Sequence, residues 1–245
     1  MTIRVLINGA YGKMGQLVSQ TFSHHPDFTL VGKLGRQDNL TQAINATQPQ
    51  IVIDFTTADV VFDNALAIIE EGISPVIGTT GLLPEQINLL QAKCADQKLG
   101  GIIAPNFSLG IILLIKAAQQ MVKYFPDVEI IEMHQSEKRD HPSGTALHTA
   151  ALLSSERSSK PSFLSKQSRE TIPGARGALY HDIPIHAIRL PGLVAHEQIL
   201  FGGSGETITL RHDAIDRKCF MPGIILACKA VLSLDTLVYG LEKII

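Results

Sequence analysis

Residues 3–22 read IRVLINGAYGKMGQLVSQTF, and this stretch decides the fold. The apolar run from Ile3 to Ile7 predicts a β-strand. Glycines follow at every third position from Gly9 to Gly15, and apolar residues then recur at helical spacing from Met14 to Phe22. A strand, a tight glycine turn and a helix in this order are typical of the beginning of a parallel α/β sheet.

The remainder of the first hundred residues repeats this alternation. Segments long enough for helices separate four further strand-like runs: Phe28 to Leu34, Ile51 to Phe55, Ser74 to Ile77 and Gly101 to Ala104. Strands alternating with helices predict a parallel sheet with right-handed crossovers, covered on both faces. We therefore predict an N-terminal Rossmann-like parallel-sheet domain.

The pattern changes after residue 106. A long apolar helix, from about Leu109 to Tyr124, precedes an alternating strand from Val128 to Met133 and a second helix that begins near Ser143. Three further strand-like runs come later, near Ile183 to Leu190, Leu193 to Phe201 and Thr207 to Arg211. This order predicts an α+β domain with an antiparallel or mixed sheet.

Two segments complete the predicted organisation. Residues 155–180 are rich in Ser, Lys, Arg and Gly without periodicity, so we expect a loop or mobile excursion there. A final helix, Met221 to Leu234, is expected to return to the first domain. The predicted domains are residues 1–106 with about 215–245, for dinucleotide binding, and residues 107–214, for substrate binding and oligomerisation.

Composition excludes several classes of function. The 21 basic and 23 acidic residues nearly cancel and are scattered, which argues against binding nucleic acid or an anionic membrane. The three cysteines form no CxxC pair and the nine histidines no ligand spacing, so neither a disulfide framework nor a metal site is expected. Without a signal peptide or membrane span, we expect a cytoplasmic protein.

The glycine turn favours a nucleotide site. Its spacing is G-x-x-G-x-x-G, and glycine leaves no side chain between the backbone N–H groups and a phosphate at the start of the helix. A P-loop is excluded, because Met14 follows Lys13 where Ser or Thr would be needed. The alternative is a glycine-rich turn without a ligand, which the flanking strand and helix make less favoured.

The end of the second strand bears on the choice of cofactor. It reads Lys33-Leu-Gly35-Arg36, without the acidic residue that usually binds the ribose 2′-hydroxyl of NAD. Lys33 and Arg36 are suited to a 2′-phosphate, which favours NADPH over NADH. Two exposed basic residues are also what an ordinary loop would carry.

Two later loops should lie at the same edge of the sheet. Gly78-Thr-Thr-Gly81 follows the fourth strand, and Ala104-Pro-Asn-Phe-Ser108 follows the fifth. Ligands of open parallel sheets bind beyond the carboxyl ends of the strands. We therefore expect these loops to border the nicotinamide half of the cofactor.

Residues 132–146, EMHQSEKRDHPSGTA, carry the candidate chemistry. His134 can exchange a proton near neutral pH, and Lys138 can neutralise a carboxylate or donate a proton. The run Ser143-Gly144-Thr145 predicts a helix N-terminus, whose free N–H groups suit a second carboxylate. From this segment alone, a dianion site with an acid beside it and a solvated charged turn capped by Ser143 are about equally supported.

The run from Glu129 to Ala146 resembles the signature of the 4-hydroxy-tetrahydrodipicolinate reductase family. The resemblance covers most of the chain in the family's order. It extends to Gly9–Gly15, Ile53–Thr56, Val76–Gly81, Ala104–Gly110 and Arg189–Glu197. It implies an NAD(P)H-dependent oxidoreductase of lysine and diaminopimelate biosynthesis that reduces a cyclic unsaturated dicarboxylate to tetrahydrodipicolinate, with loss of the 4-hydroxyl as water. It also implies hinge closure between two domains and a homotetramer formed through the substrate-domain sheets.

The resemblance also assigns roles to residues. His134 matches the family's proton donor and Lys138 its second catalytic donor, while Gly144 and Thr145, with Ser143 at the same helix start, match the substrate-carboxylate contacts. Gln135 stands where the family usually has a second, substrate-binding histidine, and Gly35 stands where many members have the acidic ribose contact. The residues that match cofactor contacts are Gly9, Ala10, Tyr11, Gly12, Lys13, Met14, Gly78, Thr79, Thr80, Ala104, Pro105, Asn106 and Phe107.

Two other functions fit this sequence less well. A semialdehyde or amino-acid dehydrogenase would keep this two-domain organisation, but a semialdehyde dehydrogenase needs a catalytic thiol, and no cysteine lies in a plausible active-site motif. A redox sensor that binds NAD(P)H without catalysis has no need for His134, Lys138 and the helix start together.

Overall fold

The computed structural model describes residues 2–161 and 169–245, which form two compact units. The first unit comprises Met1–Ser108 and Phe220–Ile245, and the second comprises Leu109–Cys219. In chain order the elements are β1 (Ile3–Asn8), α1 (Lys13–Ser23), β2 (Phe28–Leu34), α2 (Leu40–Thr47), β3 (Ile51–Asp54), α3 (Val61–Glu70), β4 (Ser74–Ile77), α4 (Pro84–Gln97), β5 (Gly101–Ile103), α5 (Leu109–Met121), β6 (Asp127–His134), α6 (Gly144–Glu156), β7 (Ala178–Tyr180), β8 (Ile183–Arg189), β9 (Ala195–Gly203), β10 (Glu206–Ala214), α7 (Met221–Ala230) and β11 (Leu237–Tyr239), with 3₁₀ turns at Arg217–Phe220, Val231–Ser233 and Leu241–Lys243.

The first unit is a six-stranded parallel sheet in the order β11-β5-β4-β3-β1-β2. Strands β3 and β4 are buried along their whole length, as expected for a sheet covered on both faces. The chain passes from β1 to β2 on one side and then to β3 on the other. The carboxyl ends of β1 and β3 therefore form the switch point at which open α/β sheets bind ligands. The predicted Rossmann-like parallel sheet is confirmed.

The last 26 residues complete this sheet. Helix α7 ends at Ala230, four residues before the predicted end, and a 3₁₀ turn at Val231–Ser233 leads towards β11. Strand β11 pairs in parallel with β5 and becomes the edge of the sheet. This strand was not predicted from the sequence, because three residues are too few to show a periodicity.

The second unit is a mixed five-stranded sheet in the order β10-β9-β6-β8-β7. Its central strand, β6, pairs antiparallel with β9 and parallel with β8. Helices α5 and α6 pack on the face of the sheet that carries Val128, Ile130 and Glu132 of β6. The predicted α+β fold with a mixed sheet is confirmed.

The loop predicted at residues 155–180 is wrong at both of its ends. Helix α6 continues to Glu156, and Ala178–Tyr180 form β7, which pairs antiparallel with β8. The two-residue connection, His181-Asp182, has positive φ at both positions, as in the hairpin turns that match strand twist. Neither residue is the glycine that usually signals such a turn, and all three strand residues are exposed. Residues 162–168 lie outside the described residues.

The most apolar helices pack inside their own units. Helix α5 buries Ile111, Ile112 and Ile115, and α7 buries Ile224 and Cys228. Among residues 2–161 and 169–245, no helix combines the length and the apolar character that crossing a membrane requires.

Two glutamates lie side by side beneath the helices of the second unit. Glu132 of β6 is directly opposite Glu197 of β9, and both are buried. Burial raises the pKa of Glu197 to about 7; the Thr149 hydrogen bond lowers it, and the Glu132 carboxylate raises it. The Thr149 hydroxyl lies 2.7 Å from Glu197 Oε1 and 2.9 Å from the Thr145 carbonyl oxygen. Because this hydroxyl has only one hydrogen, a protonated Glu197 satisfies both contacts.

We predict that Glu197→Gln removes a pH dependence from the stability. Between pH 4.5, the ordinary value for glutamate, and about pH 7, the unfolded chain releases this proton while the folded chain retains it, so the free energy of unfolding falls as pH rises. Over that window the wild type should lose about 3 kcal/mol more than the variant, at about 1.4 kcal/mol per pKa unit.

Urea denaturation at pH 5 and pH 8 measures this difference. Glu206→Gln is the matched control, because Glu206 of β10 is exposed and should leave the wild-type pH dependence in place. Parallel stability curves for wild type and Glu197→Gln would show that Glu197 is ionised in the folded chain near neutral pH.

Candidate active site

Packing around the glycine turn explains two of its three glycines. Gly9 has φ +79°, and a Cβ there would lie 2.4 Å from the carbonyl oxygen of Phe55. A Cβ at Gly15 would lie 2.1 Å from the Gly9 carbonyl oxygen. At Gly12 the nearest atom would be 3.5 Å away, an ordinary contact, and φ is −73°. The fold therefore requires glycine at positions 9 and 15 but not at position 12.

Helix α1 presents its N-terminus at this turn. Gly12 is the N-cap, so no side chain of that residue caps the helix, and the first turn carries no acidic residue. Lys13 is exposed, and Ala10 is buried beside exposed Tyr11. Free N–H groups, the helix dipole and a nearby ammonium together suit an anion such as a pyrophosphate.

The turn after β2 holds an acidic residue that the sequence analysis missed. Asp38 accepts a hydrogen bond from the backbone N–H of Gly35 at 2.7 Å, and a Cβ at Gly35 would lie 2.8 Å from the Tyr11 ring. Lys33 and Arg36 are exposed beside this turn. Asp38 stands three residues after the usual acidic position, and the tendency of Asp to bond its own turn could have revealed it.

A buried carboxylate connects the loops at the carboxyl edge of the first sheet. Asp54, at the end of β3, has no exposed surface. It accepts hydrogen bonds from the side chains of Asn8, Thr56, Asn64 and Thr79 at 2.7–3.0 Å, and from the Thr56 backbone N–H at 3.1 Å. The hydroxyl of Thr79 is therefore bound to Asp54, and the backbone of Thr79 is left for contact with a ligand.

The two later loops reach the same edge. Gly78 has no room for a Cβ, which would lie 2.1 Å from the Phe55 ring, whereas Thr80 is exposed. In the second loop Ala104 and Phe107 are buried, and Phe107 packs on Phe55 with ring centroids 6.0 Å apart. Pro105 and Asn106 are half-buried, and Asn106 Oδ1 accepts the Ser108 N–H.

In the second unit, strand alternation places His134 beside Glu132. Residues two apart on a strand share a face, and Nδ1 of His134 lies 2.6 Å from Oε2 of Glu132. Two nitrogens of Arg189, on the neighbouring strand β8, also bond this carboxylate, at 2.6 and 2.8 Å. Burial raises the pKa of Glu132, but the hydrogen bonds from His134 and Arg189 outweigh it and hold the pKa below its ordinary value.

The start of α6 adjoins this pair. The hydroxyl of Ser143, the N-cap, accepts the Ala146 N–H at 3.2 Å, and the Ser143 N–H donates to Glu132 Oε1 at 3.1 Å. A Cβ at Gly144 would meet no atom within 4 Å, so there is open space at the first turn of the helix. Thr145 is half-buried beside it.

Lys138 lies on the loop between β6 and α6. Its ammonium bonds both oxygens of Asp140 at 2.7 Å, an ion pair that the sequence analysis did not predict. Burial raises the pKa of Asp140, but the Lys138 contact outweighs it and lowers the pKa. Gln135, at the start of this loop, is half-buried, and its backbone carbonyl oxygen accepts a hydrogen bond from the backbone N–H of Lys138.

Burial disfavours the thiolate form of two of the three cysteines. Cys94 and Cys228 are buried, and burial raises the pKa of Cys94 to about 12 and also raises that of Cys228. No group of three His, Cys, Asp or Glu side chains among the described residues converges as it would around a metal ion.

Comparisons with known proteins cover the whole chain. Two family models match, "Dihydrodipicolinate reductase, N-terminus" over residues 3–107 and "Dihydrodipicolinate reductase, C-terminus" over residues 110–245. The 4-hydroxy-tetrahydrodipicolinate reductases of Legionella pneumophila (strain Paris) and Coxiella burnetii are 53% and 52% identical, with 100% of both chains covered. The dipicolinate-bound dihydrodipicolinate reductase from Paenisporosarcina sp. TG-14 is 42% identical, with a TM-score of 0.89 and 100% of both chains covered. The chain therefore belongs to the dihydrodipicolinate reductase family.

Proposed function

We propose that this chain reduces 4-hydroxy-tetrahydrodipicolinate to tetrahydrodipicolinate, with loss of water and with oxidation of NADPH or NADH. The observation that carries the proposal is the Glu132–His134 pair beside the open start of α6. It combines a proton donor with an anion site, as reduction of a cyclic dicarboxylate requires. The first unit would bind the dinucleotide, and the second would bind the substrate.

The first unit fits a nicotinamide dinucleotide. Gly12 is the one glycine of the turn that packing does not require, and close approach of a pyrophosphate would explain it. The turn from Gly9 to Met14 would hold the pyrophosphate, and Gly78–Thr80 and Ala104–Phe107 would border the nicotinamide. Since Ala104, Phe107 and Thr79 are buried, their contacts would come from the backbone. When bound, the reduced nicotinamide supplies the hydride.

His134 is the residue that we assign to proton transfer. Hydride addition to a conjugated carbon–nitrogen system leaves electron density that must be protonated, and an acid beside that atom lowers the barrier. With Nδ1 bound to Glu132, Nε2 is the imidazole nitrogen that can deliver the proton. Lys138 is assigned as the second donor. Its two hydrogen bonds to Asp140 fix the direction of the ammonium group.

The start of α6 is the proposed substrate-carboxylate site. The N–H groups of Gly144 and Thr145 lie in the first turn, where the helix dipole favours an anion. The hydroxyl of Ser143 caps the helix. Lys138 and Gln135 would contact the remaining polar groups of the substrate ring. The relative from Paenisporosarcina is named as binding dipicolinate, an aromatic ring with two carboxylates, which supports a dicarboxylate here.

The open face of the second sheet supports a homotetramer. Helices α5 and α6 cover one face only, and the opposite face carries half-exposed Glu129, Ile131 and Leu200 around a wide depression. A sheet face with apolar side chains is stabilised when another layer covers it. We propose that copies of this chain pack there. The cytoplasmic location expected from the sequence stays a prediction.

We predict that the wild type oxidises NADPH or NADH when dihydrodipicolinate synthase supplies the unstable substrate in the same cuvette. His134→Gln should lower kcat by about a hundredfold, because the proton donor is lost, while the affinity for the nucleotide stays within about twofold.

His186→Gln is the matched control, since His186 also bonds a glutamate, Glu129, but on the other face of the sheet. It should keep kcat within about twofold. Nucleotide binding without turnover by the wild type would contradict the proposed reaction, and normal turnover by His134→Gln would remove His134 from it.

A second prediction separates the glycines of the turn. Gly12→Ala should fold normally and weaken NADPH and NADH binding by about tenfold or more, because its Cβ would stand between backbone and phosphate. Gly15→Ala should fail to fold stably, since its Cβ would lie 2.1 Å from a carbonyl oxygen. Thermal melting and fluorescence titration measure both effects. Unchanged nucleotide affinity in a folded Gly12→Ala would contradict phosphate binding at this turn.

A third prediction concerns cofactor preference. Arg36→Ala should weaken NADPH binding more than NADH binding, because only NADPH has the 2′-phosphate that a guanidinium would hold. Asp38→Asn should do the opposite, since its carboxylate is the acceptor available to a ribose hydroxyl. Dissociation constants for both nucleotides give the comparison. Equal losses in Arg36→Ala would show that Arg36 does not reach the 2′-phosphate.

A further inference from the structure

Glu132 lies where three parts of the candidate site meet. Its carboxylate contacts the proton donor His134, the first residue before α6, Ser143, and the guanidinium of Arg189. Arg189 also donates to the backbone carbonyl of Asp140 at 2.8 Å, on the loop that carries Lys138. Glu132 and Arg189 thus connect the proton donor, the helix start and the loop that carries Lys138.

We propose that Glu132 is a positioning residue for the reduction. Its carboxylate keeps a proton on Nδ1 of His134 and thereby leaves Nε2 as the atom that exchanges a proton with the substrate. The inference rests on the proposed function for its consequence, but its hydrogen-bond assignment stands on the geometry alone.

The donors around Glu132 require a carboxylate. Oε1 accepts from Arg189 Nη2 and from the Ser143 N–H, and Oε2 accepts from Arg189 Nη1 and lies 2.6 Å from His134 Nδ1. A guanidinium and a backbone amide can only donate. The imidazole alone can either donate or accept, and opposite an ionised carboxylate it must donate.

The surroundings hold this carboxylate ionised and fixed in direction. Glu132 has no exposed surface, so its charge must be paired, and Arg189 pairs with it through two nitrogens. Glu197, its neighbour on β9, is protonated below about pH 7 and adds no second charge there. With the carboxylate held by Arg189 and Ser143, the orientation of the His134 ring follows from one 2.6 Å hydrogen bond.

The substitution Glu132→Gln tests this assignment with little change of shape. One oxygen becomes an NH₂ group, and placing it opposite the Ser143 amide would set donor against donor. Either placement loses one Arg189 hydrogen bond, but opposite His134 the remaining conflict can be relieved, because the imidazole can move its proton from Nδ1 to Nε2 and accept. The neutral ring should therefore change tautomer, and the imidazolium should lose its carboxylate partner.

The measurement is solid-state NMR of the full chain with ¹⁵N-labelled histidine, at a pH where the ring is neutral, with His134→Gln identifying the signal. In the wild type, Nδ1 should carry the proton; in Glu132→Gln, Nε2 should carry it. In the coupled assay kcat should fall about a hundredfold, whereas KM should change less than about threefold and nucleotide affinity should not change.

Glu129→Gln is the matched control. Glu129 lies on the same strand but on the opposite face, and it also contacts a histidine, His186, and an arginine, Arg176. It should keep kcat within about twofold and leave the His134 tautomer unchanged. Equal slowing in Glu129→Gln and Glu132→Gln would overturn the proposal, because it would reflect a general effect on the sheet.

The wild-type spectrum decides the assignment even if Glu132→Gln fails to fold. A neutral His134 protonated on Nε2 in the wild type would overturn the proposal, as would an unchanged tautomer or normal turnover in a folded Glu132→Gln. A wild type with the proton on Nδ1 but without reductase activity would contradict the proposed function while supporting the hydrogen-bond assignment.

Discussion

The hydrogen bonds that the buried carboxylate of Glu132 accepts determine where the residues of the second unit's candidate site can lie. A charge without solvent costs several kcal/mol unless its partners compensate it, so its donors cannot be displaced singly without a large penalty. Three of these donors belong to separate elements: the end of β6, the start of α6 and the end of β8. The orientation proposed for His134 therefore depends on a carboxylate that all three elements hold in place.

In the first unit, the hydrogen bonds that Asp54 accepts likewise determine where the loops of the candidate site lie. It is equally buried, and its donors come from the ends of β1 and β4, the loop after β3 and helix α3. The glycine turn and the Gly78 loop are thus connected through one carboxylate. In both units the polar interior lies at the carboxyl end of a strand, and it arranges the backbone groups that are proposed to bind ligands.

Much of this organisation was predictable from sequence. The glycine spacing and the alternation of strands and helices predicted the parallel sheet, because both are local patterns, and residues 132–146 contained the proposed proton donor and helix start. Partners distant in sequence were not predicted: Arg189 is 57 residues from Glu132, and only the pairing of β6 with β8 brings them together. The alternation of side chains along a strand could have placed Glu132 beside His134. Strands β7 and β11, in contrast, are too short to show any periodicity.

Strand β11 has a consequence for synthesis of the chain. It pairs with β5, although more than 100 residues separate Ile103 from Leu237. On the ribosome, β5 is therefore made long before its neighbour, and its outer edge stays unpaired while the whole second unit is translated. Unpaired edges recruit other strands. Until β11 emerges, the nascent sheet thus presents an edge that can recruit other strands, and a stop codon before β11 would leave that edge open.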